Sequence, residues 1–161
     1  IRELIGEKDW ARYFKISITR NPWDLVVSHF HYLVMNPSRR DALYKHLRWV
    51  IDPSKSDRDL FSEFVDRLLS SDFQYKIDEN IYNFLIGDKI GVDYMIRYES
   101  LSNDYAVACK RIGVSSKSLP KLKAAHRKSI RYTDYYDERL IALIGSKHQR
   151  LVELFGYQFG D

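Results

Sequence analysis

Residues 13–32 read YFKISITRNPWDLVVSHFHY, and this stretch decides the fold. Its first part, 13–19, alternates apolar with polar residues and is rich in β-formers, so it predicts a strand. The next three residues, Arg20, Asn21 and Pro22, change the regime at once. Asn21 suits a helix N-cap, Pro22 suits the first helical position, and Asp24 falls in the first turn, where an acid complements the helix dipole. A helix from Pro22 to about Met35 follows, stopped by the Asn-Pro-Ser at 36–38. Its apolar Trp23, Val26, Val27, Phe30 and Val34 predict a core-facing side, and Ser28, seven residues after Asn21, falls on a separate polar line.

A strand that turns directly into a helix presents unpaired backbone N–H groups and partial positive charge. In parallel α/β sheets such turns lie at the carboxyl edge, where ligands bind. Arg20 adds a planar cationic fork suited to a phosphate. The same residues also describe a well-capped helix with a surface arginine and a surface serine, and the sequence by itself leaves both readings open.

Working outward, 1–13 predicts a short helix, and residues 39–51 and 58–70 predict two more. Residues 72–91 read as loop with short elements. A second strand is expected at 92–98 (VDYMIRY), then a helix at 100–113 closed by Gly113. Residues 132–159 read as one or two helices with an aromatic end. Strands alternate with helices, so the fold class is α/β, a parallel sheet flanked by helices and rich in helix. Only two strands are clear.

The 161 residues fit one domain, 1–161, and 45% apolar with 14% aromatic content is enough for a core. No apolar run nears the ~20 residues of a membrane span. The opening IRELIGEKDW has acids among its bases and no signal-peptide pattern. It lacks a starting Met and opens inside a predicted helix, so the expectation is a chain incomplete at its N-terminus. The single cysteine, Cys109, allows no internal disulfide and no thiolate zinc site, which points to a cytoplasmic setting. His29 and His31 are two apart and do not form a chelating pair on a helix, so no metal is expected. Net charge is +4, from 26 bases and 22 acids. The bases concentrate in 117–131, KSLPKLKAAHRKSIR, with six Lys/Arg and no acid, which reads either as a solvated loop or as the mark of an anionic partner.

Three blocks in order resemble the sulfotransferases that use 3′-phosphoadenosine 5′-phosphosulfate (PAPS), most closely the carbohydrate-type branch. The first is FKISITRNPWDLVVSHFHY, with Arg-Asn-Pro and a serine eight residues after the arginine. The second is VDYMIRYESLSNDYAVACKRIGV, and the third is YTDYYDERLIALIGSKHQRLVELFGYQF, with Tyr-Tyr, Asp-Glu and Phe-Gly-Tyr. The resemblance implies a P-loop-NTPase-like sulfotransferase fold and transfer of a sulfuryl group from PAPS to an acceptor hydroxyl of a carbohydrate. It implies that Arg20 and Ser28 hold the 3′-phosphate of the donor, and that Tyr98 lies near the adenine, although a strand-end packing role suits Tyr98 as well. It assigns Arg127 and Lys128 to a late basic loop over the nucleotide phosphates, here HRKSIR without the Arg-Lys-Gly of the cytosolic branch.

The family's lysine-bearing loop for the 5′-phosphosulfate has no counterpart, and no Gly-Lys-Ser/Thr occurs in the sequence. That reads as a fragment lacking this half of the donor site, expected to be poor or inactive as a sulfotransferase by itself, with a truncated sheet that favours self-association. The catalytic base is not assigned, and neither His29 nor His31 is named for it. The acceptor-facing segment is expected in 36–91. The competing expectation is a non-enzymatic basic module that binds a polyanion such as RNA or a sulfated glycan. The modest net charge speaks against nucleic acid.

Overall fold

A computed structural model of the chain describes residues 2–39, 44–45, 48–70, 84–120 and 130–161. The chain divides into two compact units. One is Ile1–Arg20 with Asp78–Pro120, and the other is Asn21–Ile77 with Lys121–Asp161.

The first unit opens with two short helices, α1 (Arg2–Ile5) and α2 (Glu7–Arg12). Gly6 separates them with a φ of 79°, a conformation that favours glycine. The chain is extended from Tyr13 and forms strand β1 (Ile16–Thr19). Strands β2 (Leu85–Ile86) and β3 (Lys89–Ile90) make an antiparallel hairpin turning at Gly87-Asp88, the two-residue loop such hairpins prefer. Strand β4 (Tyr94–Arg97) follows and pairs in parallel with β1, from Ile16 opposite Tyr94 to Thr19 opposite Arg97. Helix α5 (Leu101–Arg111) packs on β4. It closes as the sequence predicts: Gly113 N–H donates to Lys110 O and Val114 N–H to Cys109 O, which satisfies two terminal carbonyls.

The second unit is helical. It holds α3 (Pro22–Leu33), α4 (Asp57–Ser70), α6 (Glu138–Lys147) and α7 (Gln149–Phe155), with single 3-10 turns at Pro37–Arg39 and Tyr132–Tyr135. The predicted apolar side of α3 is buried as expected, and Val26, Val27 and Phe30 are wholly enclosed. On α4 the i, i+3, i+4 spacing of Leu60, Phe61, Phe64, Val65 and Leu68 makes one apolar stripe, and all five are buried. Phe61 sits at the centre of an edge-to-face cluster, 5.4 Å from Phe30, 5.4 Å from Tyr135 and 5.0 Å from Tyr136 between ring centroids. Gly145 of α6 admits the Trp23 ring: a Cβ there would stand 3.1 Å from Trp23 Cζ2.

The fold is thus α/β at the coarse level, rich in helix with a small parallel sheet. Among the described residues no helix is long and apolar enough to cross a membrane. The helix expected over 39–51 is described only in part: Tyr44 and Lys45 are helical, with Arg48 N–H donating to Tyr44 O, and the end of the range departs from it. Residues 48–51 are irregular, and Arg48 has a φ of 48°, which no right-handed helix holds. Most of its remaining positions lie outside the described residues.

The two units differ in how much they enclose. The large apolar cluster belongs to the second. Among the described residues of the first, the buried side chains are Thr19, Phe84, Ile96, Ala108 and Cys109, while Ile16 and Ile18 of β1 are 40% and 52% exposed. Phe30→Ala is therefore expected to cost about 3–5 kcal/mol in urea unfolding, and Ile18→Ala to stay within about 0.5 kcal/mol of wild type. Equal costs at the two positions would contradict this account of the core.

Candidate functional site

The strand-to-helix junction forms as its residues dictate. β1 ends at Thr19, Arg20 follows, and Asn21 is the N-cap of α3 with Pro22 in the first turn. The Asn21 Oδ1 accepts from Trp23 N–H at 3.0 Å and from Asp24 N–H at 3.4 Å, so one side chain satisfies two of the helix's first amides.

In the first unit, parallel pairing sets the position of Arg20. Thr19 stands opposite Arg97, so the next residue of each strand, Arg20 and Tyr98, leaves the sheet at the same carboxyl edge. The Arg20 guanidinium lies 4.0 Å from the centroid of the Tyr98 ring. That cation–π contact holds the cation against the aromatic face. Tyr98 is itself 45% exposed. Arg20 and Tyr98, which only the resemblance assigns to one ligand, are therefore in contact.

The turn that carries Tyr98 is held by Asp104. One of its carboxylate oxygens accepts from Arg97 N–H at 2.8 Å and from Ser100 Oγ–H at 2.9 Å, which pins the chain on both sides of Tyr98 to the first turn of α5. The other end of the strand pair is held by Lys15 and Asp93. The Asp93 carboxylate takes the Lys15 ammonium at 2.7 Å and the Lys15 backbone N–H at 2.7 Å. These two hydrogen bonds, the ammonium's first, hold the Asp93 carboxyl below the usual carboxylate range. Sequence reading does not single out either aspartate. The signal was present for Asp104, an acid four residues after Ser100 in a helix's first turn, where such residues serve caps.

In the second unit, Asn21 is fully buried, and Ser28 is half-buried on the α3 face away from the apolar stripe. Asn21 Nδ2 donates to Gln158 O at 3.0 Å. The Tyr136 hydroxyl donates to Trp23 O at 2.8 Å, and the Trp23 indole N–H donates to Ile141 O at 3.0 Å. Burial pushes the Tyr136 hydroxyl well above the usual phenol range, and the negative Asp24 adds to this. Burial likewise raises Tyr132. Both stay protonated at any physiological pH.

His31 is a packing residue. It is buried, its Nε2 is 3.0 Å from the Tyr135 hydroxyl, and its ring lies edge-on to Phe30 and Tyr135. His29 is half-buried on the same helix. Arg127, Lys128 and most of the basic stretch 117–131 lie outside the described residues. Among the described residues no three His, Cys, Asp or Glu side chains cluster in a way that could hold a metal ion. In comparisons with known proteins, no family model, curated protein or solved structure matches this chain.

Because the Asp93 carboxyl is depressed in the folded chain, its stabilisation is present above the unfolded carboxylate range and is lost as pH falls through it. Both partners are partly exposed, so solvent screening limits the contribution to at most about 1 kcal/mol. Asp93→Asn should be less stable than wild type at pH 7 in urea titrations. The gap should close as the pH falls below about 4. A gap unchanged at pH 2 would show that the ion pair is not its source.

Proposed function

We propose that this chain is a PAPS-dependent sulfotransferase of the carbohydrate type. The observation that carries the reading is the Arg20–Tyr98 stack, which stands at the carboxyl edge of a parallel strand pair and immediately before a capped helix. The reading assigns the 3′-phosphate of the donor to Arg20 and Ser28, the adenine side to Tyr98, and the remaining nucleotide phosphates to Arg127 and Lys128. No metal is needed for these roles.

The chemistry suits such residues. In sulfuryl transfer the acceptor oxygen and the leaving phosphate oxygen lie in line, and charge spreads over the sulfonyl oxygens, as in phosphoryl transfer. The protein's part is then positioning and electrostatic stabilisation, with a base to take the acceptor proton. A guanidinium held against an aromatic ring has less side-chain freedom to lose when it binds a phosphate. Within this reading the acceptor is a sugar hydroxyl, the compartment is cytoplasmic, and the base is unassigned. Self-association through the exposed apolar side of β1, where Phe14, Ile16 and Ile18 face solvent, belongs to the same proposal.

The test is calorimetric titration of wild type and Arg20→Ala with adenosine 3′,5′-bisphosphate (PAP) and with adenosine 5′-phosphate. A charge-assisted phosphate contact is worth about 1.5–3 kcal/mol, so PAP binding should weaken about ten- to a hundredfold in the variant. Adenosine 5′-phosphate has no 3′-phosphate. It should bind more weakly than PAP and change little on substitution. PAP binding that is indifferent to Arg20→Ala would overturn the donor-site reading. Salt-dependent binding to RNA or a sulfated glycan with no response to PAP would favour the non-enzymatic polyanion module instead.

A further inference from the structure

Helix α5 is fastened to β4 at both ends. At its start, one Asp104 carboxylate oxygen accepts from Arg97 N–H at 2.8 Å and from Ser100 Oγ–H at 2.9 Å. At its end, the Arg111 guanidinium lies 4.4 Å from the centroid of the Tyr94 ring. Tyr94 and Arg97 are the first and last residues of β4. Strand and helix are joined by one 3-10 turn, Tyr98–Ser100, closed by Leu101 N–H donating to Tyr98 O. Ser100 is the N-cap of α5, where a serine hydroxyl ordinarily accepts from an amide of the first turn. Among the described residues it makes no such bond, and it donates to Asp104 instead. Asp104 lies four residues after the cap, one beyond the position from which an acid reaches back to the cap's own N–H. Both side chains therefore serve the strand end rather than the helix cap.

We propose that Asp104 is a positioning residue for the nucleotide donor, acting through Tyr98 on Arg20. The proposal rests on the donor-site reading above, and all three residues lie in the first unit. The chain just before Tyr98 and the side chain two residues after it are bonded to the same oxygen, so the turn has little freedom to pivot about the strand. The direction of the Tyr98 ring follows from that of its backbone. Arg20 lies just past the last matched pair of the two strands, Thr19 and Arg97, and its guanidinium rests 4.0 Å from the Tyr98 centroid. A turn released from Asp104 would let the ring drift, and the cation held against its face would drift with it. The lost order must then be restored when a nucleotide binds. One oxygen takes both bonds, so a carboxamide at this position can still accept them, whereas a methyl group accepts neither. The negative charge of Asp104 also complements the dipole of α5, and that contribution is lost with asparagine and alanine alike. Position and stability can therefore be told apart.

The experiment compares wild type with Asp104→Ala, Asp104→Asn and Ser100→Ala, with Tyr98→Ala and Arg20→Ala as references. Two quantities are read: the NMR chemical shifts of the Arg20 side chain in the ligand-free protein, which the ring current of Tyr98 displaces, and the affinity for PAP by calorimetry. Tyr98→Ala marks where the Arg20 signals stand without the ring. Asp104→Ala should carry them at least about halfway to that position and weaken PAP binding about three- to tenfold. Asp104→Asn should leave the signals near wild type and PAP affinity within about twofold, while losing the charge-dependent stability that alanine also loses in urea unfolding. Ser100→Ala, which removes one of the two bonds, should fall between, and it decides the test if Asp104→Ala does not fold. Arg20 signals that stay at the wild-type position overturn the positioning. PAP affinity that falls as far in Asp104→Asn as in Asp104→Ala, in step with stability, overturns it too and leaves Asp104 a structural role. Signals that move while PAP affinity holds, when Arg20→Ala does weaken PAP, overturn the role in donor binding and leave the donor reading standing. An Arg20→Ala variant that binds PAP like wild type overturns the donor reading and the proposed role with it.

Discussion

A chain that leaves a strand and enters a helix within two residues must satisfy the helix's first amides immediately, and Asn21 does so with one buried side chain. Much of the second unit follows from that requirement. The cap fixes where α3 starts. The start sets the phase of the apolar stripe, and the stripe puts Val26, Val27 and Phe30 against Phe61 and Phe64. A buried carboxamide needs partners at both ends, because an unpaired polar group in that setting costs about 1–3 kcal/mol. Here the far partner is the Gln158 carbonyl, so the requirement of one residue near the chain's start also determines where its last residues lie.

In the first unit the corresponding constraint is register. Four residues of β1 pair with four of β4, and the last matched pair, Thr19 and Arg97, decides what stands side by side beyond the sheet. A slip of one residue would separate Arg20 from Tyr98. The Lys15–Asp93 pair at one end and the Asp104 carboxylate at the other guard against such a slip. Strands this short draw little specificity from backbone hydrogen bonds alone.

Local chemistry made the junction legible. Arg-Asn-Pro with a following acid is a start signal whose parts lie within one turn, and the helix begins where it says. The apolar spacing of α3 and α4 and the glycine that closes α5 were equally plain, as was a second strand, expected through Tyr98 and found to end one residue earlier at Arg97. Interactions between residues far apart in sequence were not. Nothing near Tyr132 announces that its hydroxyl serves Gly160 and neighbours Asn21, and Phe159 reads only as one more aromatic at the chain's end. Asp104 looks like an ordinary first-turn acid until Arg97 and Ser100 are seen to converge on it. The helix expected over 39–51 shows the opposite limit, because Tyr44 and Lys45 are helical but the backbone is irregular from Arg48 on. Its apolar spacing suits a helix, yet Trp49 is buried in an irregular segment after a residue with positive φ. Periodicity reports which side chains want burial, and more than one backbone can grant it.

The helix that covers β4 carries a feature with a practical side. Cys109 is the sequence's single cysteine, and it lies buried on α5 beside Ala108, in the unit with little enclosed apolar surface. Its thiol is shielded only while α5 stays in place. Local openings of a sparsely packed unit cost less than global unfolding, and a thiol reagent captures each opening irreversibly. The rate of alkylation at this one atom is therefore a clock for the first unit's breathing, read without any probe being added to the protein. The tryptophans Trp23 and Trp49 sit in the aromatic core of the other unit, while the third, Trp10, stands on α2 of the first. With Trp10 replaced by phenylalanine, the chain would hold two separate reporters, one chemical and one optical, for its two parts.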